Sequence, residues 1–216
     1  MAHRPSVPAD LDHPRRLWAR AATLAMLAAV GIDGDEYQLL GDGELRCDHA
    51  GGSYWWRLTL PQGGDARAVF RGHDADGSHG HLRRTPVDFL AGGPRWLPWE
   101  ELREEQNGLT LGFVYWWQDG SWGRAPYPED LVDDGLELSA GWVSGDGALT
   151  EQLWEAADEG ENVDGALAAF LDRAQARTVD AEAVRALLAS FSPAEPPKPQ
   201  AVDAALEVAA RAALTP

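Results

Sequence analysis

The stretch LTLGFVYWWQDGSWGRAPY, Leu109–Tyr127, decides the fold because it predicts a β-hairpin around which the other segments can be arranged. Its first half, up to Trp117, is rich in β-branched and aromatic residues, which favour strands. Asp119 and Gly120 follow at once, and this pair suits a tight hairpin turn because glycine tolerates positive φ. Trp122 then begins the return strand, which ends at two prolines.

Side chains in a strand alternate between two faces, and the two faces of the first hairpin strand differ in character. One face is almost entirely large and apolar and is assigned to the core; it contains Leu111, Phe113, Tyr115 and Trp117. The other face is mixed, and Trp116 is its only aromatic member. The sequence therefore predicts a strand with one buried face and one face of undecided role.

An earlier stretch, Ser53–Leu60, has the sequence SYWWRLTL and repeats the Tyr-Trp-Trp triplet of the hairpin. In a strand, its apolar side chains again share one face, which contains Tyr54, Trp56, Leu58 and Leu60. Trp55 and Trp116 then occupy the less apolar sides of their two strands. If these strands are neighbours, the two indoles line one groove.

Two interpretations of these tryptophans stay open. A buried Trp contributes up to roughly 4–6 kcal/mol, so core packing explains most of the ten Trp residues. An aromatic contact surface is the alternative, because Trp and Tyr are frequent anchors of protein interfaces. Neighbouring arginines either orient an anionic group of a partner or stack on a Trp ring. The predicted partner-binding residues are Trp55, Arg57, Trp116, Trp122 and Arg124.

The composition is that of one globular domain. A chain of 216 residues with 44% hydrophobic residues can bury an ample core. Seventeen of the eighteen basic residues are arginine, and the exception is Lys198. Ile32 is the only isoleucine, and Asn107 and Asn162 are the only asparagines. Because codons for Lys, Ile and Asn are AT-rich, this bias predicts a high-GC bacterial genome, such as that of an actinobacterium.

The formal net charge of −17 limits the classes of partner. A nucleic-acid binder needs a basic footprint, so no nucleic acid is expected as a partner, and an anionic membrane surface is equally disfavoured. The charge favours a basic protein partner, since opposite fields speed encounter and suppress wrong partners. Solubility alone is the alternative explanation of the charge. The oligomeric state does not follow from the sequence.

Cys47 is the only cysteine, so no disulfide can form within the chain. A reducing compartment is therefore expected, and we predict a cytoplasmic location. Arg15 and Arg16 open an apolar run to Val30 that superficially resembles a twin-arginine export signal. That run is short, Arg20 interrupts it and no clear cleavage site follows, so export is not the preferred interpretation. No apolar run is long enough to span a membrane.

Apolar residues at helical spacing predict a helix over residues 13–30, with Asp12 as its N-cap and Gly31 as its C-terminal stop. Glycine-rich turns then separate short alternating segments, which is typical of an antiparallel sheet within residues 37–127. The strands predicted before the hairpin span residues 37–40, 44–48, 53–60 and 66–71. A short helix over residues 100–106 precedes the hairpin.

Beyond the hairpin the pattern becomes mostly helical. A short strand is predicted over residues 136–143, within an acidic and irregular stretch. The predicted helices of residues 148–191 span 148–159, 163–176 and 180–191, with Asn162 and either Thr178 or Asp180 as natural N-caps. Residues 1–192 thus form one domain, and the prolines of residues 193–200 predict a semi-rigid linker. The C-terminal segment, residues 201–216, carries a last helix that docks, frays or contacts another chain.

The densest polar group lies in one predicted loop, where three of the six histidines fall within nine residues. Imidazole and carboxylate groups are suitable ligands for zinc or another divalent metal. The candidate metal ligands are His73, Asp74, Asp76, His79 and His81. Their spacing matches neither an EF-hand loop nor a His-Glu-x-x-His helix, so a solvated loop is the preferred interpretation and no cofactor is expected.

Together these patterns predict an α+β fold, in which helices from both ends of the chain cover one side of a twisted antiparallel sheet of about five to seven strands. A small acidic α+β chain with a Trp-rich sheet is similar in general type to cytoplasmic immunity proteins of bacterial toxin systems. The first functional hypothesis is a non-catalytic module, such as an immunity-type inhibitor or adaptor, that binds a basic protein through the Trp-rich sheet. The alternatives are a metal-dependent enzyme using the loop His73–His81 and a small-ligand or peptide binder using the aromatic groove.

Overall fold

The structure, a computed structural model, describes residues 7–41, 43–61, 66–154, 163–192 and 194–216. The strands are β1 (Glu36–Leu40), β2 (Glu44–Asp48), β3 (Tyr54–Thr59), β4 (Arg67–Asp74), β5 (Phe113–Gln118) and β6 (Ser121–Arg124). The helices are α1 (Pro14–Ala28), α2 (Trp99–Asn107), α3 (Leu136–Ala140), α4 (Asp146–Leu153), α5 (Val163–Ala176), α6 (Ala181–Phe191) and α7 (Pro199–Arg211). Short 3₁₀ turns lie at Pro8–Asp10, His79–Leu82 and Gly141–Ser144.

The six strands form one sheet in the order of the chain, and every neighbouring pair is antiparallel. This confirms the predicted α+β fold and the number of strands. The central hairpin is also confirmed: β5 turns into β6 through Asp119 and Gly120, both of which have positive φ. Because β4 lies between β3 and β5, the two Tyr-Trp-Trp strands are not direct neighbours.

One face of the sheet carries the main hydrophobic core, as the alternation of apolar residues predicted. Trp56, Phe70 and Tyr115 are fully buried there, and a continuous apolar cluster joins them to α1 and to the helices after β6. The rings of Trp56 and Phe70 pack on Trp142, with centroid distances of 5.1 and 5.8 Å. The chain that follows the sheet is therefore folded back over its centre.

The opposite face is also covered, and the sequence did not predict this. A second layer, residues 87–107, folds over it and ends in α2. This second layer supplies Phe89, Leu97 and Leu102 to a separate buried cluster that includes Trp116. The mixed face of β5 thus has an apolar partner that local alternation cannot reveal.

The predicted strand over residues 136–143 is wrong, because this stretch forms α3 and a 3₁₀ turn. Gly135 has a φ of 89°, a left-handed conformation that glycine adopts readily, and it turns the chain into the helix. Leu136, Ala140 and Val143 are all buried and are spaced as on one face of a helix. Burial of these three side chains on one face favours a helix over a strand in this stretch.

Two predictions at the ends of α1 and α7 also need correction. His13, not Asp12, is the N-cap of α1, because its Nδ1 accepts from the N–H of Arg15 at 3.2 Å, while Asp12 pairs with the Arg20 guanidinium. The last helix begins at Pro199, inside the predicted linker of residues 193–200, since proline is favoured in a first helical turn.

The C-terminal helix docks on the domain rather than fraying. Val202, Ala205 and Ala209 are buried against α1 and α6 and belong to the main core. The indole N–H of Trp18 donates to the carbonyl of Ala212 at 2.9 Å, which joins α1 to the end of α7. The predicted N-cap Asn162 and the last part of the predicted helix 148–159 lie outside the described residues.

We expect Trp116→Ala to lower the free energy of unfolding by about 3–5 kcal/mol, because it leaves a large cavity between the sheet and the second layer. Urea unfolding followed by circular dichroism measures the change. Trp154→Ala is the control, since this indole is 68% exposed and its loss should change stability by less than about 0.5 kcal/mol. Equal effects of the two substitutions would contradict the packing described for Trp116.

Candidate functional site

The predicted aromatic groove is not formed. Trp116 and Trp122 are only 8% and 7% exposed, and they lie on opposite faces of the sheet. Trp55 shares a face with Trp116 but pairs with His73, whereas Trp116 pairs with Val69. Four residues of β4 correspond to about 13 Å along the strand, so the two indoles do not face each other. For Trp116 and Trp122 the structure supports the core interpretation.

The two predicted arginines stack on aromatic rings. The Arg57 guanidinium lies 5.5 Å from the centre of the Trp55 ring, and that of Arg124 lies 3.7 Å from the Tyr127 ring. Two further pairs of the same kind involve Arg67 on Trp96 and Arg103 on Trp99. The four half-buried aromatic side chains packed against the second cluster are therefore all covered by a guanidinium group.

Ion pairs between side chains of α2 and of the sheet hold the helix against the sheet. Arg71 is 1% exposed, and its guanidinium lies 2.5 Å from Glu101 and 3.1 Å from Glu105. Arg57 donates to the same Glu101 carboxylate at 2.7 Å. Burial raises the pKa of Glu105, against the opposing effect of Arg71 and Arg57. These contacts make Arg57 a structural residue of the second layer as well as a neighbour of Trp55.

The loop that contains the candidate metal ligands is a tight, internally bonded turn. β4 ends at Asp74, and the Asp74 carboxylate accepts from the backbone N–H groups of Asp76 and Gly77 at 2.9 and 2.7 Å. The Asp74 carbonyl accepts from the N–H of Ser78 at 2.9 Å. Asp74 is itself buried, so its carboxylate is used to shape the turn.

A second loop, between β6 and α3, is joined to this turn by Ser78. The Ser78 hydroxyl accepts from the Asp74 N–H at 2.9 Å and donates to the carbonyl of Asp134 at 3.0 Å. An added side chain at Gly135 would meet the Ser78 hydroxyl at 2.3 Å, so glycine allows the close approach. We call the joined segments, residues 74–82 and 128–138, the two-loop surface.

The carboxylate of Asp134 is buried beneath the two-loop surface. It accepts from the hydroxyls of Tyr115 and Tyr127 at 2.7 and 3.1 Å and from the N–H of Leu136 at 3.1 Å. Burial raises the pKa of Asp134, and these three hydrogen bonds oppose that rise. Asp134 and Ser78 are 0% and 1% exposed, so both side chains hold the loops together inside the protein and are not accessible to a substrate.

His73 and His81 come together, with ring centroids 6.0 Å apart. Burial and the neighbouring His81 imidazole lower the pKa of His73, while Asp74 opposes this effect. Within the described ranges, no three His, Cys, Asp or Glu side chains are placed so that they could hold a metal ion. The structure therefore unites two of the five candidate ligands and gives Asp74 a different role.

The outer side of the two-loop surface combines acidic and apolar groups. Leu138 is 54% exposed and lies over the turn at Gly77. Arg83 donates to Asp130 at 2.6 Å, which places the end of the first loop beside the second. The remaining exposed residues of the two loops are mainly acidic or apolar: Asp76, Leu82, Glu129, Val132 and Glu137. Trp55 adjoins this end of the sheet through its partner His73.

The negative charge of the chain is concentrated in one part of the sequence. Between Arg124 and Arg173 there are thirteen Asp or Glu residues and no Lys or Arg, which accounts for thirteen of the seventeen net negative charges. This part of the chain includes the second loop of the two-loop surface. The absence of Lys and Arg over this part of the chain is the feature of the sequence that points to the two-loop surface. Only the structure shows which of its side chains face outward.

Comparison of the chain with protein-family models, with curated protein sequences and with solved structures found no match. In the described ranges, every helix is too short or too polar to cross a bilayer. The geometry and charge of the chain itself therefore carry the functional argument.

Ser78→Ala should lower the free energy of unfolding by about 1–3 kcal/mol, because it leaves the Asp74 N–H and the Asp134 carbonyl buried without their shared partner. Chemical unfolding measures the loss, and amide hydrogen exchange should show faster opening of both loops. Ser144→Ala is the matched control, since Ser144 is exposed. Unchanged exchange in the second loop after Ser78→Ala would contradict the role of this hydroxyl.

Stability should fall as the pH drops below the ordinary histidine value of about 6.5, because His73 binds a proton less readily when folded than when unfolded. Its contribution is fully present above that pH and is lost as the pH approaches the lowered pKa of the folded protein. Unfolding curves of the protein and of His73→Gln between pH 8 and 5 measure this. The variant should lose less stability on acidification than the unchanged protein, and an equal loss in both would contradict the role of His73.

Proposed function

We propose that this protein is a non-catalytic module that binds a basic protein through the two-loop surface. The observation that carries the proposal is the acidic character of this part of the chain: thirteen acidic residues and no basic ones lie between Arg124 and Arg173 in the sequence, and Glu129 and Glu137 are exposed on the two-loop surface. A field of one sign steers an oppositely charged partner to one side of a molecule and raises the association rate.

Apolar groups within the acidic field support a docking surface rather than a purely solvating one. Val132 and Leu138 are 55% and 54% exposed, and each lies among carboxylates of the second loop. Buried apolar anchors supply most of the affinity of an interface, while surrounding charges supply rate and specificity. Trp55 is half-buried and pairs with His73, the residue directly before the first loop.

The rigidity of the two loops also supports binding without catalysis. Their polar groups Asp74, Ser78 and Asp134 are buried and hydrogen-bonded to one another or to the backbone. A surface held in one conformation before binding loses less entropy when a partner docks. An immunity-type inhibitor, which must block a basic toxin by tight and specific binding, is the most concrete form of this proposal.

The first test is a pull-down from the source organism with the tagged protein at 50 and 300 mM salt, with bound proteins identified by mass spectrometry. We expect one stoichiometric basic partner whose affinity falls with salt, because the charged contacts are screened. Isothermal titration with the purified partner then compares variants. Absence of a partner at both salt concentrations would overturn the proposal.

The variants locate the surface. Glu129→Lys combined with Leu138→Ala should weaken binding by at least about tenfold, which corresponds to about 1.4 kcal/mol, without changing the unfolding curve. Glu195→Lys is the control because it makes the same charge change at an exposed residue of the segment before α7. If Glu195→Lys weakens binding as much as the two-loop variant, net charge rather than the two-loop surface determines the affinity.

A further inference from the structure

The two edges of the sheet are protected very differently. β6, at one edge, has four residues and is covered by the N-terminal 3₁₀ turn, and the Trp122 indole donates to the carbonyl of Asp12 at 2.7 Å. β1, at the other edge, has five residues and, within the part of the chain that the structure describes, pairs only with β2. Open edge strands can accept a further strand, and most proteins cover them for this reason.

The hydrogen-bond pattern shows which groups of β1 face outward. The N–H of His49 donates to Tyr54, and the N–H of Leu60 donates to Gly43, so odd-numbered residues of β2 face β3. Even-numbered residues of β2 therefore face β1. The antiparallel register pairs them with even-numbered residues of β1. It follows that the N–H and C=O groups of Tyr37 and Leu39 point away from the sheet.

One side chain confirms this direction. The Arg211 guanidinium, from the end of α7, donates to the carbonyl of Leu39 at 3.1 Å. A guanidinium can reach this carbonyl because it lies on the open side of the strand. Among the described residues, no other segment is hydrogen-bonded to the outward N–H and C=O groups of Tyr37 and Leu39.

A groove of about 530 Å³ runs beside this edge. Small residues of α1, including Ala25 and Ala28, and Val208 of α7 line it opposite the strand. The side chains of Tyr37 and Leu39 are half-buried on the same side. An added strand would place every second side chain into this groove and would bond its backbone to the outward groups of β1.

We propose that the open edge of β1 binds an extended segment of a basic partner protein, which adds a seventh strand to the sheet. Charge identifies the kind of segment: Asp35 lines the groove, and Glu36 and Glu207 are exposed beside its lining residues. Of the described residues that line the groove, Arg211 is the only basic one. A segment with alternating small apolar and basic side chains matches both the groove and its acidic border.

A second copy of this chain is a poorer occupant of the same edge. Two molecules that each carry a net charge of −17 repel one another, and edge-to-edge pairing would bring the acidic borders of both grooves together. A basic segment gains from the same field. The edge lies apart from the two-loop surface, so this inference goes beyond the proposed function and does not depend on it.

The test uses a synthetic peptide, acetyl-Lys-Val-Lys-Val-Lys-Val-amide, as the probe. Titration into ¹⁵N-labelled protein should shift the amide signals of Tyr37 and Leu39 and slow their hydrogen exchange. Two N-methylated peptides are the matched controls, one methylated on the three valines and one on the three lysines. Only one set of amides faces β1 in an added strand, so one control should bind at least tenfold more weakly and the other about as well as the parent.

A protein variant tests the same contact from the other side. Leu39→Pro removes an N–H that points outward and leaves the pairing with β2 intact, since proline is accepted on an edge strand in this position. We expect it to retain the unfolding midpoint within a few degrees and to lose at least tenfold in peptide affinity. The peptide controls do not depend on the folding of this variant.

Replacement of Arg211 gives an opposite change. Arg211→Met releases the Leu39 carbonyl and should tighten peptide binding severalfold at 0.3 M salt, whereas Arg185→Met removes the same charge from α6 and should have little effect. No binding of the parent peptide, or equal binding of both methylated peptides, would overturn the proposal. If the pull-down finds no basic protein partner but the peptide still binds, only the role proposed for the two-loop surface is contradicted.

Discussion

The packing of Trp142 on Trp56 and Phe70 is the contact on which the rest of the structure depends. These three aromatic side chains are fully buried at the centre of the main core. Through Trp142 the chain returns from β6 across the sheet, and α4 to α7 then stack with α1 on this side. The same crossing fixes the second loop, which must leave β6 at the edge and reach α3 over the centre of the sheet.

The crossing has a consequence for the candidate site. It brings the second loop against the turn after β4, where Ser78 bonds to the Asp134 carbonyl and Tyr115 bonds to the Asp134 carboxylate. The polar groups of this junction are turned inward and satisfied, so acidic and apolar side chains remain for the outside. Two loops joined in this way are suited to present a fixed surface. The acidic residues of the second loop make the charge of that surface negative.

Much of the sheet could be predicted because strand formation depends largely on the local pattern of apolar and polar residues. The alternation in SYWWRLTL and LTLGFVYWW assigned Trp56 and Tyr115 to the core, and the Asp-Gly turn placed the hairpin correctly. The site was predicted less well. The mixed face of β5 makes Trp116 a candidate contact in the sequence, yet the second layer, which directly precedes β5 in the chain, folds back and covers that face. The histidine-rich loop was recognised as dense in ligand groups, but Asp74 uses its carboxylate to cap its own turn.

By itself, the sequence determined the strands and most helices, one buried face of the sheet, the acidic character and the presence of a single cysteine, because each depends on neighbours along the chain or on composition. Only the tertiary structure decided that both faces are covered, that residues 136–143 are helical, and that α7 docks so that Arg211 meets the edge of β1. These features depend on which distant segments meet. The free energy of burying two surfaces against each other depends on both segments together, so it cannot be inferred from the local pattern of either one.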